Sequence, residues 1–162
     1  MDIRESILRD EFILNVVLVE PEIPPNTGNI ARLCAATNTR LIIAGKPSFS
    51  FQDRYLKRAG LDYWDHVSFF QIPSLDGLLE VVSLDKLFLF TTKVKKSYTK
   101  ANFIHGSFLI FGKESMGLDE KYLIDYYENC YTIPMWGRVR SLNLSSAVSI
   151  VTYEALRKIK KF

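Results

Sequence analysis

Short apolar runs alternate along this chain with segments of helical period. Asn15 to Val19 (NVVLV) is rich in β-branched residues and reads as a buried strand. Pro21, Pro24 and Pro25 end it. Between Asn26 and Thr37 the residues Ile30, Leu33, Cys34 and Thr37 share one face, which predicts a helix. Further strands are expected at Leu41 to Ala44, Val67 to Gln71, Leu87 to Thr91, Ser107 to Phe111 and Tyr131 to Ile133. Short helices are expected at Asp53 to Ala59, at Ser74 to Leu84 with Ser74 as its cap, and at Leu118 to Tyr126. Strands alternating with helices predict an α/β fold, a mostly parallel six-stranded sheet with helices on both faces. In such sheets ligands sit beyond the carboxyl ends of the strands.

The last helix opens at Ser141 to Ser146 and carries a broad apolar surface. Leu144, Ala147, Val148, Val151 and Ala155 form one stripe, and Ile150, Tyr153 and Leu156 flank it. A helix apolar on more than one side needs a second partner besides the core. In a small domain an identical subunit is an economical one, so a homodimer is expected.

Composition adds limits. The 162 residues, 48% hydrophobic and 24% charged, suit one globular domain. A net charge of +3 permits nucleic acid as a partner without demanding it. Cys34 and Cys130 lie in apolar segments, which suggests reduced thiols and a cytoplasmic location. No stretch is long and apolar enough to span a membrane, and the charged start MDIRESILRDEF does not read as a signal peptide. His66 and His105 stand in unrelated contexts, so no metal is expected. Lys93 to Lys100 is the one basic cluster, read first as a solvated loop and second as an RNA-facing one.

Three segments carry candidate chemistry. In Pro24 to Arg32 a helix starts just after a strand, and exposed amides there attract anions. Asn26 or Thr27 can cap those amides. Arg32 falls opposite the apolar stripe and points away from the sheet. It is either a solvated arginine or one aimed at a substrate phosphate or hydroxyl. The second segment places Gly112 directly after a buried strand, where glycine permits a sharp turn or a close approach. Neither a dinucleotide fingerprint nor a phosphate-binding loop is present in the chain. The third segment follows the last strand with Gly137, Arg138 and Arg140, then crowds Ser141, Asn143, Ser145 and Ser146 at a helix start. One such residue suffices for capping, so the surplus suggests a ligand site. Glu20, Glu22 and Glu114 follow strand ends, which leaves a carboxylate pair open as an acid/base device.

Taken together and in this order, the segments resemble the SpoU branch of the SPOUT RNA methyltransferases. Within it they are similar to the small bacterial enzymes that methylate the ribose of a tRNA wobble pyrimidine. The matching residues begin with Asn15 to Leu18, Glu20 to Asn29 and Arg32 to Cys34. They continue with Arg58 to Tyr63, then Phe111-Gly112, Glu114 and Gly117-Leu118. They end with Ile133 to Met135, Ser141, Asn143 to Ser145, Ala147 to Ser149 and Tyr153 to Ala155. The resemblance implies one domain over residues 15–162, preceded by an extension over 1–14.

It also implies a C-terminal trefoil knot, an obligate homodimer, S-adenosylmethionine as cofactor and the anticodon loop of tRNA as partner. Carried over by position, Phe90, Thr91, Gly112, Ile133, Met135, Ser141 and Leu142 would bind the cofactor. Arg32 would be catalytic, with Asn143 and Ser145 orienting the ribose hydroxyl or the cofactor. Asn26, Arg138, Arg140 and Tyr153 would face the substrate RNA. An arginine is a poor base at its ordinary pKa, which favours positioning and electrostatics for Arg32. Lys113, Met116 and the loop Trp136 to Arg140 depart from the usual pattern. Methylation of another tRNA or ribosomal RNA nucleotide, or an RNA-binding homodimer without catalysis, stay open beside this reading.

Overall fold

The computed structural model describes residues 3–52 and 61–162. The helix expected at Asp53 to Ala59, and Arg58 to Gly60 of the motif, lie outside the described residues. The strands are β1 (Leu14–Val19), β2 (Arg40–Ala44), β3 (Phe69–Ile72), β4 (Leu87–Phe90), β5 (Ser107–Phe111) and β6 (Cys130–Tyr131). The helices are α1 (Ile3–Leu8), α2 (Pro24–Thr37), α3 (Leu75–Leu79), α4 (Glu120–Asp125) and α5 (Leu144–Lys160).

All six strands pair in parallel, in the order β3-β2-β1-β5-β4-β6. Strands buried on both faces need continuous apolar runs, and every residue of β2, β4 and β5 is buried. Alternate side chains go to opposite faces. Val16 and Leu18 of β1, with Leu109 and Phe111 of β5, meet Ile30 and Cys34 of α2 and Val148, Val151 and Ala155 of α5. Val17, Ile42 and Ile110 face the other way, among Ile7 of α1, Leu75 and Leu78 of α3 and Tyr122 and Leu123 of α4.

Several local expectations are corrected. Helix α2 starts at Pro24, two residues before Asn26, and its cap residue Ile23 offers no side-chain bond. Proline fits a first helical position because its missing N–H has no partner there anyway. Asn26 and Thr27 are therefore inside the helix, buried, and not caps. Ser74 also makes no side-chain cap bond, and α3 stops at Leu79. The β-branched pair Val81-Val82 beyond it is a poor continuation of a helix. The last strand is Cys130–Tyr131, ending before Ile133. Thr132 instead bridges to Ser97, with Tyr98 N donating to Thr132 O (2.8 Å) and Thr132 N donating to Lys96 O (2.8 Å). The middle of the Lys93 to Lys100 cluster is thus stitched to the chain after β6.

The segment before β1 is held by a buried cation. Arg40 is the first residue of β2, and its guanidinium donates to the carbonyls of Ser6, Ile7 and Arg9. It lies over the rings of Phe12 and Phe70 as well. Carbonyls at a helix C-terminus lack intrahelical partners, and a guanidinium satisfies several at once.

Candidate active site

Strands β1 and β5 lie side by side at the centre of the sheet. The chain leaves β1 toward β2 on one flank and leaves β5 toward β6 on the other. Such a switch point opens a crevice beyond the carboxyl ends of the strands. Here the two departing loops bind each other through an exchange of carboxylates. Glu20 pairs with Lys113 Nζ at 3.1 Å. Glu22 accepts from the amide of Ser115 (2.8 Å) and from its hydroxyl (2.7 Å). Glu114 returns the favour, accepting from the amides of Glu22 (2.8 Å) and Ile23 (3.1 Å) and from Asn26 Nδ2 (3.3 Å).

The amides leading into α2 thus already face an anion, and it is Glu114 of the same chain. The Ser115 hydroxyl and amide hold the Glu22 carboxyl below the usual carboxylate range. Its hydrogen bond to Glu20 raises the Lys113 ammonium above the usual lysine range. These groups are pinned to one another rather than poised as an acid/base pair.

Gly112 makes this exchange possible. A β-carbon there would lie 2.0 Å from Gly117 C and 2.2 Å from Leu118 N. The glycine is required by the loop's own backbone, which closes through Gly117 N donating to Lys113 O at 2.8 Å. Gly117 itself turns at φ +70, in the left-handed region that favours glycine.

The network continues into α5. Asn26 Oδ1 accepts from Asn143 Nδ2 at 3.0 Å. Asn143 is the cap of α5, its Oδ1 accepting from Ser145 N (2.9 Å), Ser145 Oγ (2.6 Å) and Ser146 N (3.4 Å). Glu114, Asn26, Asn143 and Ser145 therefore form one hydrogen-bonded chain across the three conspicuous segments of the sequence. Three of the four polar residues at the helix start take part in capping, through one side chain and two amides, and Ser141 faces elsewhere.

Above the ends of β4, β5 and β6 lies a cavity of about 560 Å³. Its walls include Phe90, Thr91, Gly112, Ile133, Met135, Ser141 and Leu142, the seven residues carried over as cofactor ligands. Asn26, Arg140 and Asn143 reach it too, as do Lys93, Lys113 and Glu114, which were not among the expected ligand residues. Apolar side chains, amides, hydroxyls and charged groups all line it. Pockets of this size and mixture accept small organic ligands.

Arg32, Arg138, Ser145 and Tyr153 are not among the lining residues. Arg32 is exposed on α2, and its guanidinium stacks on the ring of Tyr63 at 4.8 Å. Arg138 is exposed in the loop after β6. Tyr153 is 51% exposed and Ile150 37% exposed on α5, whereas Leu156, expected beside them, is buried in the core. Two groups have partners that the sequence did not foresee. Glu114, expected only as a motif residue and candidate acid/base carboxylate, binds the amides of Glu22 and Ile23. Tyr63, expected only as a motif residue, stacks on Arg32. A polar residue just past a strand-ending glycine was the available signal for Glu114.

A parallel sheet with a cavity at its carboxyl edge, lined by the start of a long helix, defines a ligand-binding α/β protein. The chain belongs to the SpoU rRNA Methylase family, whose pattern matches residues 13–153. It is 43% identical over 149 residues to the tRNA (cytidine(34)-2'-O)-methyltransferase of Escherichia coli strain K12, covering 91% of this chain and 94% of that protein. It is also similar to a solved structure concerned with the 2-OH methylation of C/U34 on tRNA. There the TM-score is 0.86 at 40% identity, over 93% of this chain and 99% of that one. The SpoU methyltransferase AviRb of Streptomyces viridochromogenes, solved with AdoMet, shares the fold. Its TM-score is 0.79 at 24% identity, over 97% of this chain and 64% of that one.

Proposed function

We propose that this chain transfers a methyl group from S-adenosylmethionine to the ribose 2′-hydroxyl of a pyrimidine at the wobble position of tRNA. The observation that carries this reading is the cavity, where the expected cofactor residues from three separate strand ends line one space. That space suits the cofactor's chemistry. Phe90, Phe111, Ile133 and Leu142 offer apolar contact to an adenine, and Lys93, Lys113 and Arg140 offer positive charge to a carboxylate. When bound, the cofactor supplies a methyl group on a positively charged sulfur, already a good leaving group. The chain's task is then positioning and charge stabilisation, with no metal required. Among the described residues no group of three or more His, Cys, Asp or Glu is placed to hold one.

Asn143 and Ser145 act by holding the rim of the cavity and the start of α5 in place, through their bonds to each other and to Asn26. Arg32 orients the ribose hydroxyl and offsets the charge that grows on its oxygen. Because Arg32 does not line the cavity of its own chain, the reading includes a homodimer in which the Arg32 of one protomer serves the cavity of its partner. Arg138, Arg140 and Tyr153 face the anticodon loop, and the chain after β6 is threaded as a trefoil knot. Among the described residues no helix is long and apolar enough to cross a membrane, which suits a cytoplasmic tRNA enzyme.

Calorimetric titration with S-adenosylmethionine tests the cofactor assignment, and no binding at high protein concentration would sink it. Arg32→Ala is expected to abolish methyl transfer while cofactor affinity stays within about twofold, since Arg32 lies outside the cavity. Normal turnover by that variant would remove Arg32 from the mechanism. Mass spectrometry of tRNA from cells with and without the gene names the modified nucleotide.

A further inference from the structure

The segment between the cavity and β6 holds an unusual side chain. Trp136 is 92% exposed and Val139 68% exposed, in a loop where they alternate with Arg138 and Arg140. Among the described residues neither arginine is ion-paired. Gly137, between Trp136 and Arg138, meets nothing within 4 Å where a β-carbon would stand, so the loop is open on that side. Arg140 also lines the cavity, which ties the loop to the site. The cavity lining carries Lys93 and Arg140, with Lys113 already paired to Glu20, against one carboxylate, Glu114, which is engaged by amides.

We propose that Trp136 is a stacking platform for a base of the substrate RNA, with Arg138 and Arg140 holding the phosphates on either side. The inference rests on the tRNA reading above and deepens it. A large aromatic ring left open to water has no packing role in the chain itself. Aromatic rings flanked by cations are what unpaired nucleotides bind: the ring takes a base face and the cations take the backbone. A ribose in an RNA loop must be turned out of the stack before its hydroxyl can reach a buried methyl donor, and this leaves a base face uncovered. Trp136, one residue from the cavity-lining Met135, stands where such a face would emerge. A second copy of this chain is the other occupant an exposed indole could have. The flanking arginines favour a polyanion over a like-charged copy.

The test uses the whole chain with S-adenosylmethionine and a synthetic anticodon stem-loop RNA carrying a wobble cytidine. Trp136→Ala should raise the RNA KM roughly five- to a hundredfold, the range one stacked base contributes. The cofactor Kd and the sedimentation coefficient should not change, and Trp136→Phe should recover most of the loss. Arg138→Ala should lower the salt dependence of RNA binding by about one ion. RNA should quench Trp136 emission in the wild type and not in Trp136→Phe, because Trp64 is packed against Phe51 and Phe69. An unchanged RNA KM for Trp136→Ala in an active enzyme overturns the proposal alone. So does conversion of that variant to a monomer, which would assign the indole to a subunit interface. Failure of the wild type to bind and methylate the RNA removes the tRNA reading, and this proposal with it.

Discussion

A single missing methyl group at Gly112 sets the shape of the loop after β5. The backbone of Gly117 and Leu118 occupies the place where a β-carbon would stand. No rotamer can relieve a clash with backbone, so Gly112→Ala must move the loop as a whole. The expected cost is about 3 kcal/mol or more, in the range where a strained backbone or overpacked site dominates. Cofactor affinity should fall with it, since Gly112 lines the cavity. Thermal unfolding and cofactor titration of the variant check both effects. Wild-type values in either would show that the loop has room to adapt. At this scale the sequence was informative about residue type and silent about cause. A glycine after a strand was legible as a tight place, but the backbone that crowds it comes from residues further along the loop. Arg32 was legible as an outward residue from helical period alone. The ring of Tyr63 that stacks on it lies in a separate element, which no helical period could have paired with it.

Between elements, the loops after β1 and β5 are joined by groups more than ninety residues apart, for Glu22 and Ser115 are separated by 93 positions. The carboxyl of Glu22 titrates below its ordinary value because Ser115 bonds its charged form. A depressed pKa of this kind adds stability that is fully present above the ordinary value, about pH 4.3. That contribution is lost as pH falls through the folded value. Acid unfolding followed with urea between about pH 6 and 3 should therefore steepen in that window. Glu22→Gln should flatten the curve there and leave it unchanged near neutrality apart from a constant offset. Equal acid slopes in the two proteins would exclude Glu22 as a contributor. Strand and helix types were legible here because period and β-branched content are local properties. Helix starts were less so. The Pro24-Pro25 pair sets the first turn of α2, and the amides before it are covered by Glu114 rather than by a capping side chain of the helix.

For the whole molecule, the central question is what covers α5. One side, with Val148, Val151, Ala155 and Leu156, is buried on the sheet. Ile150 and Tyr153 stay open, and Arg32 lies outside the cavity it is expected to serve. Sedimentation should report a dimer at micromolar concentration, and Tyr153→Glu should shift it toward monomer by placing a charge in an apolar contact. Methyl transfer should fall in proportion to the dimer lost. A stable wild-type monomer with full activity would refute the shared site.

The sequence by itself determined that this is a mostly parallel α/β protein, to within two residues where its strands begin, which residues bear the methyltransferase resemblance and that Arg32 faces outward. These follow from local period, composition and ordered motifs. Tertiary structure alone decided that every strand runs parallel and that Asn143 caps α5 while reaching Asn26, 117 positions away. It also decided that Glu20, Glu22 and Glu114 lock two loops together. A carboxylate near a strand end has many possible partners. Which one it meets depends on the strand order, which brings the loops after β1 and β5 side by side at the switch point.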